Sequence, residues 1–192
     1  MHHFFAYLSR MKFIQRWGLM RNTRPENIQE HSLEVAMIAH VLALIRNKFF
    51  QGKLNPERVM ALAIYHEAAE VITGDLATPI KYFNPEIEQA YHQIEKIAKE
   101  KLLKMLPVEL KDEYNRLLFI EKQDRDNWQL VKAADKISAY LKCVEELKGG
   151  NQEFCKAEKS IKKEIAKINL PEVEYFMHYF VPSFSLTLDE LD

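Results

Sequence analysis

Apolar positions recur with helical spacing along almost the whole chain. Between Asn27 and Phe50, the residues Leu33, Val35, Ala36, Met37, Ala39, Val41, Leu42, Leu44 and Ile45 form a broad set. That breadth predicts a long helix buried on much of its circumference. Gly52 stands just past its end, a common stopping position. Asn55-Pro56-Glu57 and Asn84-Pro85-Glu86 each combine a capping Asn, a Pro for the first turn and an early acid, so each predicts a helix start. The first of these helices is read through Leu62, Ala63, Tyr65, His66, Ala69 and Glu70 to a break at Thr73-Gly74-Asp75. Residues 76–83, with Pro79 inside, read as a loop, and a charged amphipathic helix follows to Leu106. Further helices are expected from Pro107 to Phe119, from Trp128 to Leu147 behind a cap at Asp126 or Asn127, over 152–167, and from Pro171. Gly149-Gly150 ends the second of these, and residues 182–192 show no helical period.

Residues 1–21 are basic, aromatic and free of acids, which is also how a transit peptide looks. Phe4, Phe5, Leu8, Met11 and Phe13 fit a helical face better than a cleavable leader, so the segment reads as a structural first helix. No repeat, low-complexity tract or strand pair interrupts the pattern, and the expected fold is all-α in one domain over residues 1–192.

Composition narrows the functions. The 192 residues are 47% hydrophobic, too apolar for disorder. A formal charge of -1 gives no global electrostatic footprint for a nucleic-acid polymer. No uninterrupted apolar run reaches the roughly 18 residues that span a bilayer, so no membrane association is expected. Two cysteines, Cys143 and Cys155, make no disulfide framework, which fits a reducing cytoplasm.

The chemistry lies in ionisable residues set inside apolar periods: His31 at the start of the long helix, His66-Glu67 in the next, and Asp135 in Val131-Lys132-Ala133-Ala134-Asp135-Lys136-Ile137. Burying one such group alone is costly, and pairing or metal coordination removes the cost. Taken singly, His31 could be a helix-start histidine, His66 a satisfied core histidine, and Asp135 a surface partner of Lys132 or Lys136. Taken together, two imidazoles and two carboxylates make a nitrogen–oxygen set that suits a divalent transition metal. Glu70 stands four residues after His66 and three after Glu67, spacings that place it on the same helical face. It is then either a surface acid near the helix end or a carboxylate placed to relay a proton. His40 and His178 read as packing residues, His92 as solvated, Trp128 and Tyr140 as core, and Lys142, Lys148 and the lysines of 156–167 as a solvated face.

The order H…HE…D is similar to the H…HD…D pattern of HD-domain phosphohydrolases, here with 35 residues from His31 to His66 and 68 from Glu67 to Asp135. The resemblance narrows to the bacterial 5'-deoxynucleotidases of that superfamily through Phe4-Phe5-Ala6-Tyr7-Leu8-Ser9-Arg10, Arg16-Trp17, residues 21–27, Glu30-His31-Ser32-Leu33, Thr73-Gly74-Asp75-Leu76 and residues 78–84. Ala139-Tyr140-Leu141-Lys142-Cys143 and Val181-Pro182-Ser183-Phe184 extend it, so that it covers Phe4 to about Glu190. It implies an HD-type helical bundle with a metal-binding core at 28–148 and C-terminal helices and tail at 151–192. It also implies a homodimer, one divalent metal (manganese, cobalt, zinc or similar) per site, and hydrolysis of deoxyribonucleoside 5'-monophosphates. By the same resemblance His31, His66, Glu67 and Asp135 would hold the metal. Arg16 would orient the phosphate, Trp17 would pack where ribose carries its 2'-hydroxyl, and Glu70 and Asp75 would handle protons. Asp75, Leu76, Ala77 and Thr78 would line the nucleotide pocket together with His31, Glu67 and Asp135.

Two positions depart from that family. Glu67 stands where it has Asp, and Ala77 where it usually has Pro. Glutamate reaches farther by about 1.5 Å, whereas metal–ligand distances tolerate about 0.2 Å. Either the glutamate is tolerated, or the chain is an impaired enzyme or a nucleotide-binding regulator. Because Arg16, Trp17, His31, His66, Glu70, Asp75 and Asp135 all remain, retained activity is the expectation. A diphosphatase or phosphodiesterase, or a helical module whose ionisable residues pair with each other, are the rival readings.

Overall fold

The computed structural model describes residues 1–191, which form helices and no strand. Helix α2 (Ile28–Phe49) runs through the centre, against α3 (Pro56–Ile64), α8 (Arg125–Lys148) and α10 (Pro171–Tyr179). Its start is capped by Asn27, whose side chain accepts from the backbone N–H groups of Gln29 and Glu30, both at 3.0 Å. Asn55 caps α3 through Arg58 N at 2.9 Å, and Asn84 caps α6 (Pro85–Lys104) through Ile87 N at 2.8 Å. At the end of α2, Gln51 rather than Gly52 turns the chain, with φ of 55°. Gly52 is required for space instead: a Cβ there would lie 2.7 Å from Arg46 Cγ and 2.9 Å from Asn47 Oδ1.

The main core joins Val35, Ala39, Leu42 and Ala43 of α2 to Val59, Leu62 and Ala63 of α3 and to Leu130, Ala134, Ile137 and Leu141 of α8. Each large aliphatic side chain buried there contributes about 1.5–3 kcal/mol. Val173 and Phe176 of α10 and Ile165 of α9 (Cys155–Ile165) close its far side. By length and composition α2 could cross a membrane, but here it is the core helix. A second cluster holds Phe4 of α1 (Phe4–Leu8), Ala68, Leu102 of α6 and Leu118 of α7 (Val108–Leu118), sealed by edge-on contacts of Tyr114 with Phe4 and Tyr65.

Five local expectations are corrected. The first helix ends at Leu8 and tightens to a 3-10 turn over Ser9–Phe13, because only Phe4 and Met11 of its apolar residues are buried. Arg16 and Trp17 therefore sit on an irregular excursion, closed by a bridge between Gln15 and Asn27. His66-Glu67 is not inside a helix: α3 stops at Ile64, and α4 (Glu70–Thr73) starts after tight turns in which Ala68 N reaches Tyr65 O at 3.1 Å. The turn carries the chain from the main core at Ala63 to the second cluster at Ala68, which a straight helix would not do. Thr78–Lys81, read as loop, forms a single helical turn, α5. Helix α8 begins at Arg125, and Asn127 donates to Asp124 Oδ1 at 2.8 Å instead of capping. Lys142, read as solvated, is buried and donates to Glu146 and to Arg24 O.

Candidate active site

Three elements meet at one point. His31 comes from the first turn of α2, His66 from the turn between α3 and α4, and Asp135 from the middle of α8. One donor atom from each lies within 4.8 Å of the other two, a group able to hold a metal ion. His31 Nε2 is 2.9 Å from Asp135 Oδ1, and His66 Nε2 is 4.0 Å from the same oxygen. The fourth expected ligand, Glu67, stands beside this group, with Oε1 at 3.6 Å from His66 Nε2.

The hydrogen bonds orient both imidazoles. His66 Nδ1 lies 2.6 Å from Ala63 O, so the proton belongs on Nδ1. Nε2 is buried and has no hydrogen-bond partner among the described residues. His31 Nδ1 is 3.0 Å from Ser138 Oγ, whose own hydroxyl donates to Glu34 Oε2 at 2.5 Å. Burial and the nearby Arg16 charge lower the His31 pKa to about 4, so the ring is neutral. Ser138 thus meets His31 Nδ1 and the Asp135 carboxylate meets Nε2, with donor and acceptor set by where the single ring proton lies. A cation between Nε2 and the carboxylate satisfies both, and the donor set fits a metal.

Charge points the same way. Burial disfavours the Arg16 guanidinium, but Glu26, Asp135, Glu67 and Asp75 outweigh it and raise its pKa. Four carboxylates around one guanidinium leave an excess of negative charge that would repel a phosphate ester and that a divalent cation would offset. Burial would raise the Asp135 pKa, but the hydrogen bond with His31, and the nearby His66 and Arg16, hold it well below the carboxylate range. Burial and then the Glu67 charge drive the Glu70 pKa far up, so that Glu70 holds the proton it shares with Glu67. Burial also tends to raise Glu67, yet His66 and the Glu70 proton bring it below its ordinary value. Burial raises the Asp75 pKa, against the pull of Arg16.

Arg16 Nη2 lies 4.0 Å from Asp135 Oδ1, facing the ligand group. Trp17 packs its ring on Phe154 at 5.3 Å between centroids. Glu70 is buried, while Asp75, Leu76 and Ala77 are half-buried and Thr78 is exposed, along the segment that leaves the site after Gly74. Asp135 does not pair with Lys132 or Lys136; Lys136 goes to Glu164.

Sequence reasoning gave no role to Glu26, Glu34, Ser138 or the Lys142–Glu146 pair. Glu26 accepts from Arg16 and Trp17, and Glu146 accepts from Thr23 N, Thr23 Oγ1, Arg24 N and Asn151 Nδ2 at 2.6–3.2 Å. The i, i+4 spacing of Lys142 and Glu146 was the one available signal.

Residues 3–184 match the family described as 5'-deoxynucleotidase YfbR-like. A 5'-deoxynucleotidase of Cronobacter sakazakii is 56% identical over 189 residues, covering 98% of this chain and 95% of that protein. One from Yersinia pestis is 56% identical over 191 residues, covering 100% of this chain and 97% of its own. The fold is that of an HD-domain phosphohydrolase from Listeria innocua, with TM-score 0.83 at 21% identity over 95% of this chain and 88% of the other. A cyanophage HD phosphohydrolase, described as bound to dA and one catalytic Zn2+ ion, shares it with TM-score 0.68 at 17% identity over 93% and 96%. At 56% identity along its whole length, and with a nitrogen–oxygen donor group beside a buried arginine, this chain belongs to the YfbR-like 5'-deoxynucleotidase family.

Proposed function

We propose that this protein hydrolyses deoxyribonucleoside 5'-monophosphates to deoxynucleoside and phosphate, using one divalent transition metal such as manganese, cobalt or zinc. The observation that carries the reading is the convergence of His31, His66 and Asp135 next to Arg16, in a chain of that family. His31, His66, Asp135 and, at a further reach, Glu67 would hold the metal. When bound, it would polarise a phosphate oxygen and make water a better nucleophile at neutral pH.

The chain's own groups do the rest. Arg16 binds the phosphate and offsets its charge as it redistributes in the transition state. The water oxygen bonds to phosphorus as the bond from phosphorus to the 5'-oxygen breaks, and that oxygen takes up a proton. Glu70, buried and protonated, holds a proton for this exchange, and the half-buried Asp75 would be its partner in proton handling. Trp17 presents an apolar wall to the sugar, which leaves a ribose 2'-hydroxyl unpaired. Leu76, Ala77 and Thr78 line the nucleotide pocket. The setting proposed is the cytoplasm, supported by the free thiols of Cys143 and Cys155. The assembly proposed is a homodimer, supported by the exposed apolar side chains of Leu33, Met37 and Leu44 along α2. No nucleic-acid polymer or membrane is included as a partner.

The test is phosphate release from dAMP and from AMP after metal stripping and reconstitution with manganese, cobalt or zinc. Metal-dependent release that favours dAMP is the expected result. No release with any metal, and none after Glu67→Asp, would overturn the proposal; release only after Glu67→Asp would make this chain a disabled member of its family.

A further inference from the structure

Arg16 and Trp17 are neighbours in sequence, yet both side chains reach one oxygen. Arg16 Nη1 lies 3.3 Å and Trp17 Nε1 3.0 Å from Glu26 Oε2. In an extended segment successive side chains point to opposite faces, so two neighbours do not share a partner. Here the backbone breaks that alternation: Trp17 has φ of 60°, in the left-handed region that a bulky residue seldom occupies. Such strain persists only where the surroundings over-determine it, and it marks functional positions. The restraints are visible. Arg16 N donates to Glu26 O at 2.8 Å, Met20 N to Trp17 O at 2.9 Å, and Ile28 N to Ile14 O at 3.0 Å. Glu26 thus takes the backbone of Arg16 through its own carbonyl and two consecutive side chains through its carboxylate. With Nη1 occupied by Glu26, Nη2 is the end of the guanidinium that faces Asp135, at 4.0 Å.

We infer that Glu26 is a positioning and specificity-determining residue, whose single oxygen Oε2 fixes the Arg16 guanidinium and the Trp17 indole relative to each other. The inference rests on the nucleotidase reading above for the roles of Arg16 and Trp17. Glu26 acts through these two side chains, not on the substrate. Its loss therefore loosens the phosphate clamp and the sugar wall together and leaves the metal ligands in place.

Glu26→Gln tests this, because it keeps the volume but replaces one acceptor oxygen by a donor. The preference for dAMP over AMP in kcat/KM should fall by about tenfold or more, with KM for dAMP raised and metal content unchanged. A preference that stays within about threefold of the parent protein's, or a fall accompanied by loss of metal, would overturn the inference. A second readout is independent of turnover: hydrogen exchange of the Trp17 indole N–H by NMR, told apart from Trp128 with Trp128→Phe. Exchange should be faster in Glu26→Gln, and unchanged exchange would also overturn it. Were Glu26→Gln to fold poorly, Trp17→Phe removes the indole donor and part of the ring surface, so a preference kept within about threefold in that variant would count against the shared-oxygen role. If the parent protein hydrolyses neither nucleotide, the functional reading fails, and the indole exchange still decides whether Glu26 holds the pair.

Discussion

Replacing Glu146 by Gln removes a charge on which five donors converge: Lys142 Nζ, Thr23 N, Thr23 Oγ1, Arg24 N and Asn151 Nδ2. Glutamine keeps the volume, but its amide nitrogen meets other donors. The buried Lys142 ammonium is then left with Arg24 O and the face of the Phe154 ring. Breaking a buried pair on one side costs about 3–5 kcal/mol, because the remaining charge stays uncompensated. Domains of this kind are stable by only about 5–15 kcal/mol, so the loss is a large fraction of the whole. With a slope of about 2 kcal/mol per molar urea, the unfolding midpoint should fall by about 2 M. The assay is urea denaturation followed by circular dichroism, with chelator present so that metal binding does not add to stability. A midpoint within about 0.5 M of the parent protein's would refute the reasoning. Adding Lys142→Met to Glu146→Gln should restore part of the loss, since it removes the stranded charge.

The pH dependence has a definite sign. Burial alone would raise the Glu146 pKa, but the bonds from Lys142, Thr23 and Asn151 hold it well below the ordinary carboxylate range. The folded protein therefore binds this proton more weakly than the unfolded chain does. The stabilisation is complete above the unfolded value of about 4.3 and shrinks as pH falls below it toward the folded-state value. The gap in midpoint between parent and Glu146→Gln should narrow from pH 7 to pH 3 and stay constant from pH 7 to pH 9.

Arg16→Ala should lower kcat/KM for dAMP by about 10²–10³, with metal content by elemental analysis unchanged; loss of metal would show that Arg16 supports the ligands instead. Removing metal should lower Tm by about 5–10 °C relative to protein held at a hundredfold excess over Kd, and calorimetry before and after readdition checks it. A Tm indifferent to metal would contradict the ligand assignment. Gly74 has φ of 72° and ψ of 166°, a region closed to other residues, and a Cβ there would touch nothing within 4 Å. Gly74→Ala should therefore cost about 1–3 kcal/mol of backbone strain and raise KM for dAMP by displacing Asp75; unchanged stability and KM would refute this.

Helix starts were legible because their signals are local. Asn55 and Asn84 each cap the turn that they begin, as residue type and position alone predict. The break at residues 65–69 was not, because Tyr65-His66-Glu67-Ala68-Ala69 contains neither Gly nor Pro. The second apolar cluster, which draws Ala68 and Tyr65 away from the axis of α3, imposes it. The placing of Glu70 assumed an unbroken helix, so its proximity to Glu67 arises from a tight turn instead. Lys142 looked solvated because the groups that bury it, Arg24 and Phe154, are distant in sequence or on another element. Ser138 carries no signal of its own inside an apolar helix face, since only the fold places its hydroxyl between His31 and Glu34. Residue type and order thus pointed to the convergence of His31, His66 and Asp135, while the groups that orient them depended on tertiary contacts.

The anchoring of Thr23 and Arg24 to Glu146 also bears on the order in which the protein is made. These bonds span 123 and 122 residues of chain. As the polypeptide leaves the ribosome, the segment with Arg16 and Trp17 emerges early, and its anchor near the end of α8 emerges much later. Contacts this distant in sequence close after local ones, because loop closure must precede them. A nascent chain can thus form α2 and α3 while its guanidinium and indole still lack their final support. A chain cut short before Glu146 would retain all four expected metal ligands but lack the clamp on the excursion that bears Arg16. Completion of the segment that bears Arg16 and Trp17 is in this way tied to synthesis of the C-terminal quarter of the protein.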